Sequence, residues 1–189
     1  MTSEQGLTLL RLARAGVHAA VGGPEVRIPR EDWLQAPGAS FVTLMREGAL
    51  RGCIGTLEAW RPLAEDVVEN ARACALRDPR FEPLTAEEYE SVDIEVSLLS
   101  SSEPLLFADE EELYERLRPG VDGVILSAGP RRATFLPQVW EQLPDPMEFM
   151  AQLQRKAGLQ DLPLRACTVR RYTVRKWREA DFAAAGTKS

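Results

Sequence analysis

The chain has 189 residues, 44% hydrophobic and 28% charged, a balance that lets one ordinary soluble domain bury a full core without disulfides or metals. Its 29 acidic residues outnumber 23 basic ones, and the net charge of −6 gives no overall attraction to nucleic acid or to an anionic membrane. Three scattered cysteines, an odd number, fit neither a disulfide framework nor a zinc site, so no metal is expected.

Other function classes are narrowed in the same way. No apolar run approaches membrane-spanning length, and the opening "MTSEQGLTLLRLARAG" lacks the basic-then-apolar pattern of a signal peptide. A cytoplasmic protein with reduced thiols and no membrane partner is expected. Histidine is the commonest general base, yet the chain has one, His18. A Ser–His or Cys–His mechanism would rest on it alone, and a structural or surface role on a helix is the simpler reading.

Residues 2–20 read as a helix, with Thr2 and Gln5 as a capping box and Leu9, Leu12, Ala13, Gly16 and Val17 at helical spacing. "GGPEVRIPREDW" breaks the pattern. "FVTLM", "REGA" and "LRGCIGTL" then form a predicted β-hairpin. Pro62 opens a second helix that buries Leu63, Val67, Ala71 and Cys74, and "RDPR" ends it. Thr85 with Glu88 caps a short helix, and "VDIEVSLLS" alternates as a strand. Asp109 starts another short helix. "VDGVILSAGPRRATFL" reads as a second hairpin turning near Gly129-Pro130, followed by a short helix in "PQVWEQL". Asp145 as N-cap, Pro146 at the first turn, Glu148 completing a third capping box and Gly158 just past the end delimit a helix between them. "RACTVRRYTVRKW" reads as one last strand, and the tail over 181–189 is expected to be disordered. Strands interleaved with helices of mixed length, without a βαβ repeat, predict an α+β fold with a mixed or antiparallel sheet and flanking helices.

Four stretches could carry chemistry. On a strand, "RGCIG" puts Arg51, Cys53 and Gly55 on one face, with Gly52 and Ile54 on the other. A guanidinium near a thiol favours the reactive thiolate, and the bare backbone at Gly52 and Gly55 would let a ligand approach. The same stretch also reads as a bulged core strand in which Cys53 is a small hydrophobe. In "RDPRF", Asp78 can cap backbone N–H groups while Arg80 clamps an anion, or the pair can simply lock a loop. Glu95, mid-strand, is solvated by default; if covered, it needs a partner such as Arg51 or Arg80 and could then move protons. The basic tail, from Arg165 to Arg178 with Tyr172 and Trp177, reads as an edge strand protected by charge rather than as a nucleic-acid surface.

Taken in order, "FVTL", "GALRGCIGTL", "ALRDPRF", "IEVSLLS", "GVDGVIL", "ATFLPQVWEQLP" and "KAGL" resemble the AMMECR domain family over about residues 7–178, in particular its bacterial and archaeal branch, called AmmeMemoRadiSam system protein A. The resemblance implies a single AMMECR-type domain over 1–189 with a larger and a smaller lobe, the shared motifs meeting near the cleft between them. It implies the company of a Memo-like protein and a radical-SAM protein, and it implies no particular reaction, substrate or cofactor. The motif match carries over to Arg51, Gly52, Cys53, Ile54 and Gly55, to Asp78, Pro79, Arg80 and Phe81, to Glu95 and Ser97, and to Lys156. Cys53 and Glu95 are the candidate catalytic residues; Arg51, Gly52, Gly55, Asp78, Arg80 and Lys156 are the candidate ligand-binding ones. Many members have His where this chain has Asp122, so a mechanism built on that histidine would not operate here. Three roles stay open on these grounds: an accessory or catalytic component acting through a cleft lined by "RGCIG", an adaptor that binds a small ligand or peptide end without catalysis, and, ranked below both, a nucleic-acid-binding protein using the basic tail. Whichever holds, Arg51, Cys53, Asp78, Arg80 and Glu95 are expected to converge.

Overall fold

The computed structural model describes residues 2–185. In chain order the elements are α1 (Ser3–Ala20), α2 (Asp32–Gln35), β1 (Pro37–Gly38), β2 (Ser40–Arg46), β3 (Ala49–Gly55), β4 (Arg61–Pro62), α3 (Leu63–Leu76), α4 (Ala86–Tyr89) and β5 (Val92–Leu99). There follow β6 (Glu103–Pro104), α5 (Glu110–Arg116), β7 (Gly123–Ala128), β8 (Arg131–Phe135), a 3₁₀ turn at Pro137–Glu141, and α6 (Pro146–Ala157). A second 3₁₀ turn at Leu164–Ala166, β9 (Thr168–Tyr172), β10 (Val174–Arg178) and α7 (Glu179–Ala185) complete the described chain. The protein is α+β. It divides into two compact units, one formed by the chain up to Leu99 together with the segment from Arg175, the other by Ser100–Val174.

In the first unit a sheet of order β10-β5-β2-β3 carries α1 and α3 on one face. Alternation decides which side chains look inward: Val42 and Leu44 of β2, and Ile94 and Val96 of β5, are fully buried against Leu9, Ala13 and Val17 of α1 and Val67, Ala71 and Cys74 of α3. Two of the three expected capping boxes are present, Thr2 with Gln5 on α1 and Thr85 with Glu88 on α4, while on α6 the Asp145 side chain caps the helix by accepting from the Met147 and Glu148 N–H groups. The β2–β3 hairpin turns at Glu47-Gly48, both at positive φ, and its register shifts between Leu44 and Met45.

In the second unit the antiparallel order is β6-β9-β7-β8, packed with α5 and α6 around Leu113, Leu126, Phe149 and Leu153. The Trp140 ring stacks on Phe149 with centroids 3.7 Å apart, and its indole N–H donates to the Asp122 carbonyl at 2.7 Å. The Asp122 carboxylate is wholly buried and accepts from the Arg118 backbone N–H and Nε, both at 3.0 Å. Asp122 is therefore engaged in holding the approach to β7. Lys156, near the end of α6, donates to the Thr134 carbonyl at 3.1 Å and lies over the Phe135 ring, tying α6 to β8.

The C-terminal region differs from the sequence reading in two places. The one expected last strand is two, β9 and β10, and they join different sheets. Residues 181–185, expected as part of a disordered tail, are helical in α7, while 186–189 lie outside the described residues.

Candidate functional site

β3 is an edge strand, so one side of its backbone has no neighbouring strand to bond. Cys53 stands opposite Thr43 of β2, and Thr43 stands opposite Glu95 of β5. Residues directly opposite across strands share a face, so Cys53, Thr43 and Glu95 form a lateral row on the face turned away from α1 and α3. Two strand spacings separate its ends, about 10 Å.

The open edge at Cys53 is occupied by the segment after α3. The Cys53 N–H donates to Asp78 Oδ2 at 2.8 Å, and Arg80 donates to the Cys53 carbonyl at 3.2 Å. Arg80 also grips the same carboxylate with Nε and a terminal nitrogen, at 2.9 and 2.7 Å. One aspartate and one arginine thus supply the donor and the acceptor that a further strand would have provided. The Arg80 guanidinium, followed by the Cys53 and Arg80 N–H groups, holds the buried Asp78 carboxyl well below the usual carboxylate range.

The thiol of Cys53 is half-buried and accepts from the Thr43 hydroxyl at 3.3 Å. Cys74 lies on the other side of the strand, and a Cβ at Gly52 would stand 2.8 Å from its carbonyl oxygen and 3.0 Å from its sulfur. A Cβ at Gly55 would meet the Phe41 ring at 2.2 Å. The bare backbone at these two positions accommodates the protein's own packing in place of the expected open approach. Burial pushes the Cys74 thiol up to about 12, so at pH 8 it should react with iodoacetamide about 10³-fold more slowly than an ordinary cysteine near 8.5. Mass spectrometry of the native protein after brief labelling should find Cys53 modified ahead of Cys74; equal modification would contradict this packing.

Not every expected residue joins the row. Cys53, Asp78 and Arg80 come together. Arg51 turns instead to Glu88 of α4, donating from Nε at 3.2 Å and a terminal nitrogen at 3.0 Å, and to the Glu82 carbonyl at 3.0 Å. Arg46 adds a third donor at 2.6 Å, and the Glu88 carboxyl is lowered to about 2, chiefly by Arg51. The Arg51 and Arg80 guanidinium carbons lie 5.8 and 5.5 Å from the Phe81 ring centroid. Glu95 is buried, and its partners are not Arg51 or Arg80 but Lys176 at 2.8 Å and Arg178 at 2.6 Å, both on β10. Lys156 belongs to the second unit and makes its contacts there.

Sequence reasoning missed Thr43, Glu88, Lys176 and Arg178 as partners, and it missed a buried polar cluster. Asp66 of α3, with no exposed surface, accepts from the Ser40 N–H at 2.8 Å, the Ser40 hydroxyl at 2.7 Å, Asn70 at 3.0 Å, Arg61 Nε at 2.9 Å and the Thr56 hydroxyl. Asp66 and Asn70 sit four residues apart on one helix face, the one signal that could have revealed the cluster. The tail cations are largely spent inside the protein: Arg170 on Ser102, Arg171 on Glu103, Lys176 and Arg178 on Glu95. His18 stacks on Tyr89 with centroids 4.8 Å apart. Among the described residues no three His, Cys, Asp or Glu side chains are grouped to hold a metal ion, and no helix is long and apolar enough to cross a membrane.

The architecture and the strand-edge row define an α+β protein whose hallmark is a glycine-flanked cysteine clamped by an Asp-Pro-Arg segment. The AMMECR1 family model matches residues 10–177, and the chain belongs to that family. A protein of Methanothermobacter thermautotrophicus is 37% identical over 163 residues, covering 84% of this chain and 85% of its own. Protein MK0488 of Methanopyrus kandleri is 39% identical over 165 residues, covering 84% and 80% respectively. The crystal structure of the uncharacterized protein PH0010 from Pyrococcus horikoshii is similar with a TM-score of 0.81 at 34% identity, covering 93% of this chain and 92% of that one.

Proposed function

We propose that this chain is a cytoplasmic accessory protein of the AmmeMemoRadiSam type, acting with a Memo-like protein and a radical-SAM protein. Its sheet face around Cys53, Thr43 and Glu95 takes a small ligand or peptide end, with Arg51, Asp78 and Arg80 as its frame. The observation that carries this reading is the row itself, a thiol, a hydroxyl and a carboxylate on three successive strands. Binding is favoured over covalent catalysis because a cysteine nucleophile needs a base to take its proton. Here the thiol's partner is a hydroxyl that donates to it, and the one histidine is stacked elsewhere. Glu95 turns both oxygens to cations rather than toward the thiol.

A metabolite-binding screen read by thermal shift, on the protein alone and with a Memo-like partner, tests the proposal. A hit should bind Cys53→Ala within about twofold of wild type, and Thr43→Val at least about tenfold more weakly. A covalent adduct on Cys53, together with loss of turnover or binding in Cys53→Ala, would replace the adaptor reading with a catalytic one. No hit under either condition would overturn the ligand site.

A further inference from the structure

The first unit has a concave site bounded by α1, α4 and α7 that shares no lining residue with the Cys53 row. Its volume is about 350 Å³, within the span of small-molecule pockets, roughly 300–1,000 Å³. Leu7, Leu10 and Phe182 give it apolar walls, and the nearly parallel His18 and Tyr89 rings add a flat one, with an interplanar angle of 13°.

The charges around it are unequally spent. Glu179 lines the groove, but one oxygen accepts from Arg14 Nε at 2.9 Å and the other from the Ile94 N–H at 3.0 Å and from a second Arg14 nitrogen. That carboxylate is compensated by its own arginine. Arg11, one turn of α1 away, also lines the groove, and its side chain makes no hydrogen bond or ion pair among the described residues. An apolar trough with one uncommitted guanidinium at its rim is complementary to a molecule with an apolar body and a single negative end.

We propose that this groove binds a small amphipathic carboxylate, its hydrocarbon or aryl body against Leu7, Leu10 and Phe182 and its carboxylate on Arg11. A neutral apolar compound would leave Arg11 unused, and a dianion would meet Glu179 with no second uncommitted arginine among the described lining residues.

The single histidine makes the test direct, because its imidazole proton signals need no assignment. The full chain is titrated with 4-phenylbutyrate and, separately, with 4-phenylbutyramide, following the His18 signals by NMR. The acid should shift them saturably, while the amide should bind at least about tenfold more weakly. Arg11→Glu should weaken the acid at least about tenfold and leave the amide unchanged, and Leu7→Gln should weaken both. Thr43→Val, which weakens a ligand of the Cys53 row, should bind the acid as wild type does, which separates this site from that row. No saturable shift, equal binding of acid and amide, or undiminished binding by Arg11→Glu would each overturn the proposal.

Discussion

Asp66→Ala is expected to destabilise the protein by about 3–5 kcal/mol, the range seen when one partner of a buried charge pair is removed. The side chain lies wholly inside the first unit, where its two oxygens collect donors from Ser40, Thr56, Arg61 and Asn70. Without it, the Arg61 guanidinium loses its charge partner, and the Ser40 N–H at the start of β2 has no acceptor. An unsatisfied buried donor alone costs about 1–3 kcal/mol. Asp66→Asn should fall between, because one amide oxygen is kept while the NH₂ faces existing donors. Urea denaturation checks this through the midpoint at unchanged slope. A loss under about 1 kcal/mol for the alanine variant would mean that the cluster rearranges around a water and is not a fixed support for β2.

Asp78→Asn is the second large effect, with a loss of about 1.5–3 kcal/mol from the charge-assisted hydrogen bonds that close the β3 edge. Its direction with pH follows from linkage. The Asp78 carboxyl is held below its ordinary value in the folded chain and returns to about 3.9 in the unfolded one. Its contribution is therefore complete above about pH 4 and declines as the pH falls toward the folded-state value. Glu88 behaves alike, its contribution fading from about 4.5 down to about 2. Stability measured against pH should fall on acidification in the wild type and more shallowly in Asp78→Asn. In the same variant the Cys53 amide, which now donates to Asp78, should exchange its hydrogen faster. An unchanged acid limb with unchanged exchange would show that the Asp-Pro-Arg segment does not hold this edge.

Much of this architecture was legible locally. Thr2 with Gln5 and Thr85 with Glu88 announced two helix starts, since a capping box satisfies its own donors within four residues. Alternation in "VDIEVSLLS" told which side of β5 meets the core, although Glu95, Ser97 and Leu99 on the opposite face are buried where a strict alternation exposes them. Helical spacing buried Cys74 correctly. The site was legible only in part. Asp78 and Arg80 were recognisable as a pair because they lie two residues apart, but their hold on Cys53 spans 25 and 27 residues. Nothing in the spacing of Glu95 pointed to Lys176 and Arg178, which lie more than 80 residues on.

The sequence alone determined the longer helices and strands from α1 to α6, which of their faces are apolar, and which short motifs mark the family. These depend on propensities, caps and periodicities that act within a few residues. The tertiary structure decided where the C-terminal strand breaks, sending β9 to one sheet and β10 to the other, and which cation meets which carboxylate. It also decided that Gly52 and Gly55 make room for Cys74 and Phe41. Strand pairing and ion pairing are choices among many partners of like chemistry, separated by long stretches of chain. Only the packing that brings two of them together removes the alternatives.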